Sequence, residues 1–463
     1  MKAIITFLLI QFIHIREIAV LAPDRRPRRP RPRHGAMQAR RDGGSILLRR
    51  PAAVSSAAPA AASSAAPAAA PAAVSVHSLA ECAQALRSQL SVQQRVEVRV
   101  RVHAKLVVGT ACSGTDCAIP CLEHLGRATG WSFHHAFSCE MEETKQAWIR
   151  ENFPSLPALF SDVALLGTGE AVNELTGRTE AVPAVDLFIA GFVCKSVSTE
   201  NNDRGNNRTC IADATGLTGR TFDGVRRYVE RFRPKLVICE NVTGLLKRVL
   251  GAEPQIHAVR AVFAKLGYSF QHVAVDTRDF FLPQRRPRVW MWALRGGPQS
   301  QADEIKAVID NLPKRAHMPL RDMLTPVATD HKPARADLNV RELEVLRTAV
   351  ETIRQRRRGV GADWDEDFDV VVDLAKSTQR TRTCMNASTC VLPNSKLWLV
   401  RAGRFLTARE CLALQGIWAS DFPALDAWAR HPKKLHLLHD LAGNAFSTPV
   451  CMTVCLAVIM TAI

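Results

Sequence analysis

The apolar run from Val185 to Ala190 is the sequence feature that most limits how this chain folds. A short run of this kind predicts a strand buried on both faces, as in a parallel sheet. The run stops at Gly191, and Cys194 follows, so the thiol is expected at the carboxyl end of the strand. Ligands of open α/β sheets collect at that edge, where loop backbone and nearby cations lower the pKa of a thiol. Cys194 is therefore either a nucleophile or an inert buried cysteine, and other segments decide between the two.

The bulk composition limits the class of protein. With 463 residues, 47% of them hydrophobic, the chain can form one large domain and a smaller one. The net charge of +17 favours a polyanionic partner such as nucleic acid, although residues 23–50 hold ten Arg against two Asp and so account for +8 of it. The 13 cysteines form no C-x-x-C pair, which indicates reduced thiols. The cluster of Cys112, Cys117 and Cys121 fits no common zinc spacing, so no metal is expected.

The first 104 residues predict an arm and a linker segment. Residues 1–22 contain an apolar run too short to span a bilayer, which is either the core of a targeting signal or the product of a misassigned upstream start. Residues 23–75 are rich in Arg, Pro, Ala and Ser, so the arm at 1–75 is expected to be disordered. Its Arg block is either a nuclear localisation signal or nucleic-acid tether, or a solvated tail. A short helix and an edge strand at Val96 to Val102 are expected within 76–104.

A strand, a turn of small residues and a helix open the globular part, near Lys105. The turn, Gly109 to Asp116, lets a ligand approach the backbone, and the helix N-terminus offers free N–H groups. Glu140 follows the second strand, where an acid is placed to bind ribose hydroxyls, and Asp162 follows the third, where it suits an adenine amino group. Each acid alone is equally a helix N-cap. The ordered series predicts an adenosyl-type cofactor.

Polar groups continue along the same edge after Cys194. The segment Asn201 to Gly219 is rich in Asn, Arg, Thr and Gly, which predicts a mobile loop suited to act as a lid. Glu240 ends the strand Lys235 to Cys239, so a carboxylate is expected on the edge that carries Cys194. A hairpin at 268–294 follows. Its alternation predicts three polar side chains on one face: Gln284, Arg286 and Arg288. Helices are expected at Met141–Asn152, Phe222–Arg231 and Gln255–Leu266.

Six ordered motifs resemble those of the C5-cytosine DNA methyltransferase family, which uses S-adenosylmethionine. They are the turn Ser113-Gly114, the loop Ala190 to Ser198 with Cys194 at the nucleophile position, Glu240-Asn-Val242, Gln284-Arg-Arg-Pro-Arg288, the segment Arg404 to Gly416, and Gly443-Asn-Ala-Phe446. Order and spacing agree across residues 105–463. The resemblance implies an α/β fold with a Rossmann-like doubly wound sheet, a catalytic domain at 105–296 and 400–463, and a target-recognition region at 297–399.

The resemblance also implies a reaction and a set of residues. A DNA (cytosine-5)-methyltransferase moves a methyl group from S-adenosylmethionine to a cytosine flipped out of the duplex. Cys194 would add to C6 of the base and Glu240 would neutralise N3. Arg286 and Arg288 would hold the base and lower the pKa of the thiol, with Gln284 beside them. The residues implied to bind the cofactor are Cys112, Ser113, Gly114, Thr115, Glu140, Met141, Asp162, Val163, Gly191, Asn444 and Ala445.

Five positions depart from the family pattern. Val193 stands where the family has Pro, which loosens the loop, and Lys195 stands where Gln is usual, which adds a cation beside the thiol. Cys112 replaces an aromatic residue, and Asp116 and Cys117 replace glycines, so an acid enters the cofactor turn. A catalytically weakened DNA-binding relative is therefore the alternative to an active enzyme.

The recognition region leaves the substrate sequence open. Arg354 to Arg358 suits phosphate contacts or is a solvated helix face, and Thr378 to Thr389 can reach base edges. A region this small also permits tRNA as substrate. The chain lacks the Cys-Phe-Thr tripeptide of the relatives that modify tRNA, so DNA is the expected partner. The nucleus is the expected location, or an organelle if residues 1–50 are a transit peptide. No membrane partner is expected.

Overall fold

The computed structural model describes residues 75–90, 105–312, 317–325, 338–358, 369–381 and 383–462, with the backbone alone at 356–358. The predicted arm at 1–75 lies outside these ranges except for its last residue. The predicted strand at 96–102 lies wholly outside them.

A nine-stranded sheet carries the site. Its order is β5-β4-β3-β2-β1-β6-β7-β9-β8. Strands β3, β2, β1, β6 and β7 are parallel neighbours, whereas β4 and β9, which flank them, run antiparallel. The chain departs from β1 in both directions, as in a doubly wound fold, so the predicted fold class is confirmed. The strands are β1 (Leu106–Ala111), β2 (Phe133–Cys139), β3 (Leu159–Phe160), β4 (Glu170–Asn173), β5 (Arg178–Ala181), β6 (Leu187–Ala190), β7 (Leu236–Val242), β8 (Tyr268–Asp276) and β9 (Pro287–Arg295).

Helices cover both faces of this sheet. Along β6, Leu187 and Ile189 belong to one buried cluster and Phe188 and Ala190 to a second, because successive side chains point to opposite faces. The first cluster takes in α1, α2, α7 and α12, and the second takes in α5 and α6. The helices are α1 (Leu79–Arg87), α2 (Ala118–Thr129), α3 (Glu143–Asn152), α4 (Val163–Leu166), α5 (Gly216–Phe232), α6 (Ile256–Lys265), α7 (Gln299–Asn311), α8 (Val340–Arg358), α9 (Ala408–Ala413), α10 (Leu425–Arg430), α11 (Leu435–Asn444) and α12 (Thr448–Ala462).

Two segments differ from the sequence-based expectation. Helix α5 begins at Gly216, not at Phe222, so the predicted loop from Asn201 to Gly219 ends earlier. Within that loop Cys210 and Ile211 are buried, and Gln255 accepts hydrogen bonds from both. The hairpin of β4 and β5 was not predicted, because its residues are largely polar and give no apolar run.

A second, antiparallel sheet lies within the later part of the chain. It comprises β10 (Val370–Asp373), β11 (Thr383–Met385), β12 (Leu397–Leu399) and β13 (Arg404–Phe405), in the order β11-β10-β12-β13. Its buried residues Val370, Val372 and Trp398 pack with the apolar face of α8. The run Arg354 to Arg358 forms the end of α8. Helix α7, inside the predicted recognition region, packs instead against β8 of the large sheet.

A helix that crosses a bilayer must be long and predominantly apolar. Among the described ranges, no single helix is long and apolar enough to cross one. The segment Pro432–Asn444 and α12 reach that length and composition only together, as a pair bent by 40°. Helix α12 is buried from Thr448 to Ile459, as expected for a core helix.

Candidate active site

The carboxyl ends of the five parallel strands lie level at one edge of the large sheet. Ala111 pairs with both Cys139 and Ala190 in the Cα register, Cys139 pairs with Phe160, and Ala190 pairs with Cys239. The predicted site residues lie within two positions of these pairs and so form one row along the edge: Cys112, Glu140, Asp162, Gly191 and Glu240. This register, which depends on backbone pairing alone, brings the expected nucleophile loop, cofactor turn and acids to a common edge.

The backbone before Cys194 is fixed from two sides. The amide of Gly191 donates to the Ala111 carbonyl at 3.1 Å. The Asn241 side chain donates to the carbonyl of Phe192 at 2.8 Å, and the buried Phe192 ring packs 5.1 Å from that of Phe222. Asn241, buried in the Glu-Asn-Val motif, thus anchors the loop at the residue before Val193. The motif identified this residue, but its role became visible only in the fold.

The backbone after Cys194 is equally constrained. Its carbonyl accepts from the amides of Val197 and Ser198 at 3.1 and 3.0 Å. Ser196 and Thr218 exchange backbone-to-hydroxyl hydrogen bonds of 3.0 and 3.3 Å, which join the loop to α5. These bonds hold the tight turn that presents the thiol.

Glu240 and Arg288 meet beside this loop. The Arg288 Nε lies 3.1 Å from the Glu240 Oε1, and each side chain is 12% exposed. Burial raises the pKa of Glu240, which Arg288 and, more weakly, Arg286 oppose. Burial also raises the pKa of the Cys194 thiol, which Arg288 lowers, Glu240 raises further and Arg286 lowers. Lys195, expected as the cation beside the thiol, is exposed. Arg288 is therefore the cation with the largest effect on both the thiol and the carboxyl.

Gln284 and Arg286 are directed elsewhere. The Arg286 guanidinium donates to the carbonyls of Val391, Gly443 and Ala445 at 2.7, 3.0 and 2.8 Å. Gln284 is fully buried and its amide bridges Leu414 and Val391 at 2.6 and 3.0 Å. The expected common face with Arg288 does not form, because β9 begins at Pro287, after both residues. These two side chains tie together three distant segments, and Arg288 alone reaches Glu240.

The cofactor turn has an unusual backbone. Cys112, Gly114 and Asp116 all have left-handed φ angles, of 51°, 56° and 55°, which only glycine adopts without strain. The Ser113 amide donates to the Cys139 carbonyl at 3.2 Å, and the Gly114 amide donates to the Glu140 carboxylate at 2.8 Å. Thr115 is buried, and its hydroxyl has no partner in the described part of the chain.

The acids of this half interact mainly with nearby backbone. The second oxygen of Glu140 accepts from the Glu142 amide at 3.0 Å, and burial raises the pKa of Glu140. Asp162 accepts from the Ala164 amide at 2.8 Å and caps α4, whose first residue, Val163, is buried. Met141, next to Glu140, is 62% exposed. The exposed apolar side chain of Met141, which stands between Glu140 and Glu142 in sequence, is suited to pack on one face of a flat heterocyclic ring.

The last motif closes against the loop before Cys194. Asn444 is exposed and donates to both the carbonyl and the carboxylate of Asp440, and Ala445 is buried. The Phe446 ring lies so close to Gly191 that an added Cβ there would sit 2.7 Å from it. A side chain at 191 would therefore need the Phe446 ring to shift. Phe446, known from sequence only as a motif position, thus contacts Gly191 through its ring and accepts from the Cys117 thiol through its carbonyl.

Asp116 is a buried acid at a position where the family has glycine. It is 1% exposed, it accepts from the Ser138 hydroxyl, and its Oδ1 has no hydrogen-bond partner among the described residues. Its other oxygen lies 3.8 Å from the His135 Nε2. Burial raises the pKa of Asp116 to about 6 and lowers that of His135 to about 4.

The described residues offer no candidate metal centre. Within them, no group of three or more His, Cys, Asp or Glu side chains has the geometry to hold a metal ion. The chemical groups gathered at the edge are thus a thiol, carboxyls and guanidiniums.

Sequence comparison relates the chain to known methyltransferases. A model of the C-5 cytosine-specific DNA methylase family matches residues 121–459. The DNA (cytosine-5-)-methyltransferase DMT5 of Cryptococcus neoformans is 26% identical over 437 residues, covering 77% of this chain and 17% of that protein. DMT5 of Verticillium dahliae is 22% identical over 483 residues, covering 76% and 19%. The chain thus spans less than a fifth of the length of these two relatives.

A shorter relative and a solved structure complete the comparison. The type II methyltransferase M.HhaI of Haemophilus parahaemolyticus is 26% identical over 234 residues, covering 50% of this chain and 63% of that enzyme. The crystal structure of the S. pombe Dnmt2 methyltransferase covers 76% of this chain and 98% of its own, at 12% identity and a TM-score of 0.45.

Proposed function

Because this chain belongs to the C-5 cytosine-specific DNA methylase family, we propose that it methylates C5 of cytosine in DNA through a covalent adduct on Cys194. The single observation that carries the proposal is the Arg288–Glu240 pair beside the pinned Cys194 loop. A thiol, a carboxyl and a guanidinium are the three groups that this reaction needs on one side of a flipped base.

The residues account for activation of the base. The Cys194 thiolate adds to C6, which moves an electron pair toward C5 and negative charge toward N3. Glu240, whose pKa burial raises, holds a proton that neutralises N3. C5 then takes the methyl group and N3 returns its proton to Glu240. The proton on C5 is lost to water, the C5–C6 double bond re-forms and the thiolate leaves. Arg288 keeps the thiolate accessible by lowering the pKa of Cys194.

S-adenosylmethionine would supply the methyl group as an electrophilic carbon on a sulfonium. Glu140 fits its ribose, because a carboxylate accepts about four hydrogen bonds and two are used here by backbone amides. Met141 would cover the adenine and Asp162 would accept from its amino group. Thr115 and Ser447 each carry a buried hydroxyl without a partner in the described ranges, which fits a polar ligand. The turn residues Cys112, Ser113 and Gly114, with Val163, Gly191, Asn444 and Ala445, would complete the pocket.

DNA would enter between the nucleophile loop and the small sheet. Two contacts cross this space: Lys376 Nζ lies 2.5 Å from the Glu200 Oε2, and Arg380 donates to the Asn202 side chain at 2.7 Å. A phosphate group competes well for such exposed cations, because surface ion pairs are weak. DNA as substrate implies action in the nucleus or in a DNA-containing organelle.

The test is methyl transfer from labelled S-adenosylmethionine to unmethylated duplex DNA, with tRNA and Cys194→Ala run in parallel. Label on DNA that disappears with Cys194→Ala is the expected result. Duplex carrying 5-fluorocytosine should trap an adduct that survives denaturing electrophoresis, since the fluorine cannot leave as a proton does.

Other outcomes separate the alternatives. Label on tRNA alone would move the substrate to RNA. Absence of label on either, with S-adenosylmethionine still bound, would make the chain a catalytically weakened DNA-binding relative, and Val193→Pro would be the next variant to assay.

A further inference from the structure

A second thiol, that of Cys390, lies between Arg286 and Arg288. The Cys390 Sγ is 3.6 Å from the Arg286 Nη1 and 3.8 Å from the Arg288 Nη2. Cys390 belongs to none of the six motifs, and it comes from the segment between β11 and β12, more than 100 residues after both arginines. A partly exposed sulfur between two guanidinium groups is an acceptor for both.

The backbone on both sides of Cys390 is fixed to the arginine motif. Ser388 donates to the Pro283 carbonyl at 2.6 Å and accepts from the Arg285 amide at 2.9 Å. Val391 donates to the Gln284 side chain at 3.0 Å and accepts from Arg286 at 2.7 Å. The bonds at Ser388 and Val391 therefore hold the Cys390 backbone beside the arginine motif.

Arg288 has one partner for each guanidinium nitrogen. Its Nε faces Glu240 at 3.1 Å, its Nη1 donates to the Pro287 carbonyl at 2.9 Å, and its Nη2 faces Cys390. The first two partners lie on β7 and β9, the strand pair that carries Arg288. Cys390 is the partner from outside that pair, and a long side chain has enough rotamer freedom to swing when such a contact is lost.

We propose that Cys390 is a positioning residue: its sulfur accepts from Arg286 and Arg288 and keeps the Arg288 guanidinium on Glu240, beside Cys194. Through this contact the recognition region reaches the groups that perform the chemistry. The charged and titratable groups that act on the Cys194 thiol are Arg288, Glu240 and Arg286, and Arg288 has the largest effect of the three. If Arg288 moves away, the pKa of Cys194 rises.

The test compares Cys390→Ala with Cys390→Ser, which keeps a hydrogen-bond acceptor. Alkylation of Cys194 by iodoacetamide is followed against pH, with the modified peptide quantified by mass spectrometry. In Cys390→Ala the midpoint of alkylation should move to higher pH, and Cys390→Ser should restore most of the shift. The matched control is Cys384→Ala, which removes a buried thiol from the preceding strand, β11. The charged groups that act on this thiol are Arg285, Arg278 and Asp276.

Methyl transfer supplies the second readout, and this part rests on the proposed function. In Cys390→Ala, kcat should fall about tenfold with KM for DNA unchanged, the size expected for loss of one charge-assisted contact. An unchanged alkylation midpoint, or equal loss in Cys390→Ala and Cys390→Ser with a matching loss of thermal stability, would overturn the proposal. Alkylation requires no substrate. If the wild type fails to methylate and Cys390→Ala still shifts the alkylation midpoint, the proposed function is refuted and the positioning role is supported.

Discussion

The two halves of the sheet edge use their polar side chains differently. In the half that would face the base, Glu240 on β7 meets Arg288 on β9, and Asn241 anchors the loop after β6. In the half that would face the cofactor, polar side chains turn to nearby backbone or to their own helix: Glu140 to Gly114 and Glu142, Asp162 to Ala164, and Asn444 to Asp440. One strand register positions both halves, so the difference lies in the side chains.

This difference indicates which side chains should affect the reaction rate and which should affect cofactor affinity. Contacts between separate elements hold the base half in a reactive arrangement without a ligand, as preorganised catalysis requires. In the cofactor half a ligand must share or exchange partners that the protein already satisfies, so these side chains should tune affinity more than rate. One acid in each half makes the comparison testable.

Glu240→Gln carries the largest expected effect. The amide is close in size to the carboxyl and still accepts from Arg288, but it has no acidic proton to place on N3. Removal of a general acid typically slows a reaction by about 10²–10⁴-fold, so kcat should fall by that factor. The affinity for S-adenosylmethionine, measured by calorimetry, should stay within twofold of the wild type. A variant that keeps its kcat would exclude Glu240 from the chemistry.

Glu140→Gln is the matched change in the other half. Loss of the charge weakens the hydrogen bonds from the ribose, and a charged hydrogen bond contributes about 1.5–3 kcal/mol, so cofactor affinity should fall about tenfold to a hundredfold. At saturating S-adenosylmethionine, kcat should be unchanged. Asp162→Asn alters the second acid of this half and keeps an oxygen to cap α4, so it should also weaken cofactor binding and leave kcat unchanged. If Glu140→Gln lowers kcat at saturation, the division between the halves is wrong.

Strand ends are the part of this molecule that sequence predicts well. Short apolar runs define β1, β6 and β7, and the hairpin predicted at 268–294 forms as β8 and β9. Since parallel strands align their carboxyl ends, the apolar runs by themselves predict Cys194 and Glu240 at one edge. The predicted roles of the individual side chains remain predictions, because they depend on ligands.

The hydrogen-bond partners of the two arginines could not be predicted from sequence patterns. Arg286 and Arg288 belong to one motif, yet the first is committed to carbonyls at Val391, Gly443 and Ala445, more than 100 residues away. No local pattern encodes such partners. The start of α5 was missed for a related reason, because Gly219 disfavours a helix in sequence but is needed where an added Cβ would sit 1.9 Å from the Cys210 carbonyl.

Asp116→Asn tests a smaller effect, confined to the cofactor half. The pKa of Asp116 is raised from its usual 3.8 to about 6, so its stabilising contribution is present at low pH and is lost as pH rises from about 4 through about 6. The pKa of His135 is lowered from 6.5 to about 4, so its contribution is present above 6.5 and is lost as pH falls through about 4. The two slopes oppose each other in the wild type, which flattens its stability between these limits.

Without the Asp116 carboxyl, the pH dependence of stability due to His135 should no longer be offset. In Asp116→Asn the free energy of unfolding should fall on acidification from pH 7 to pH 4 more steeply than in the wild type. Between pH 7 and pH 4, the free energy of unfolding of the variant relative to the wild type should change by on the order of 2–3 kcal/mol, since one pKa unit corresponds to about 1.4 kcal/mol. Urea unfolding of both proteins at five pH values measures it, and carboxyls common to both cancel. The alkylation midpoint of Cys194 should not move, because Asp116 is not among the groups that act on that thiol. Parallel stability curves would show that the buried carboxyl of Asp116 keeps an ordinary pKa, and a shifted thiol would show that the two halves are electrostatically coupled.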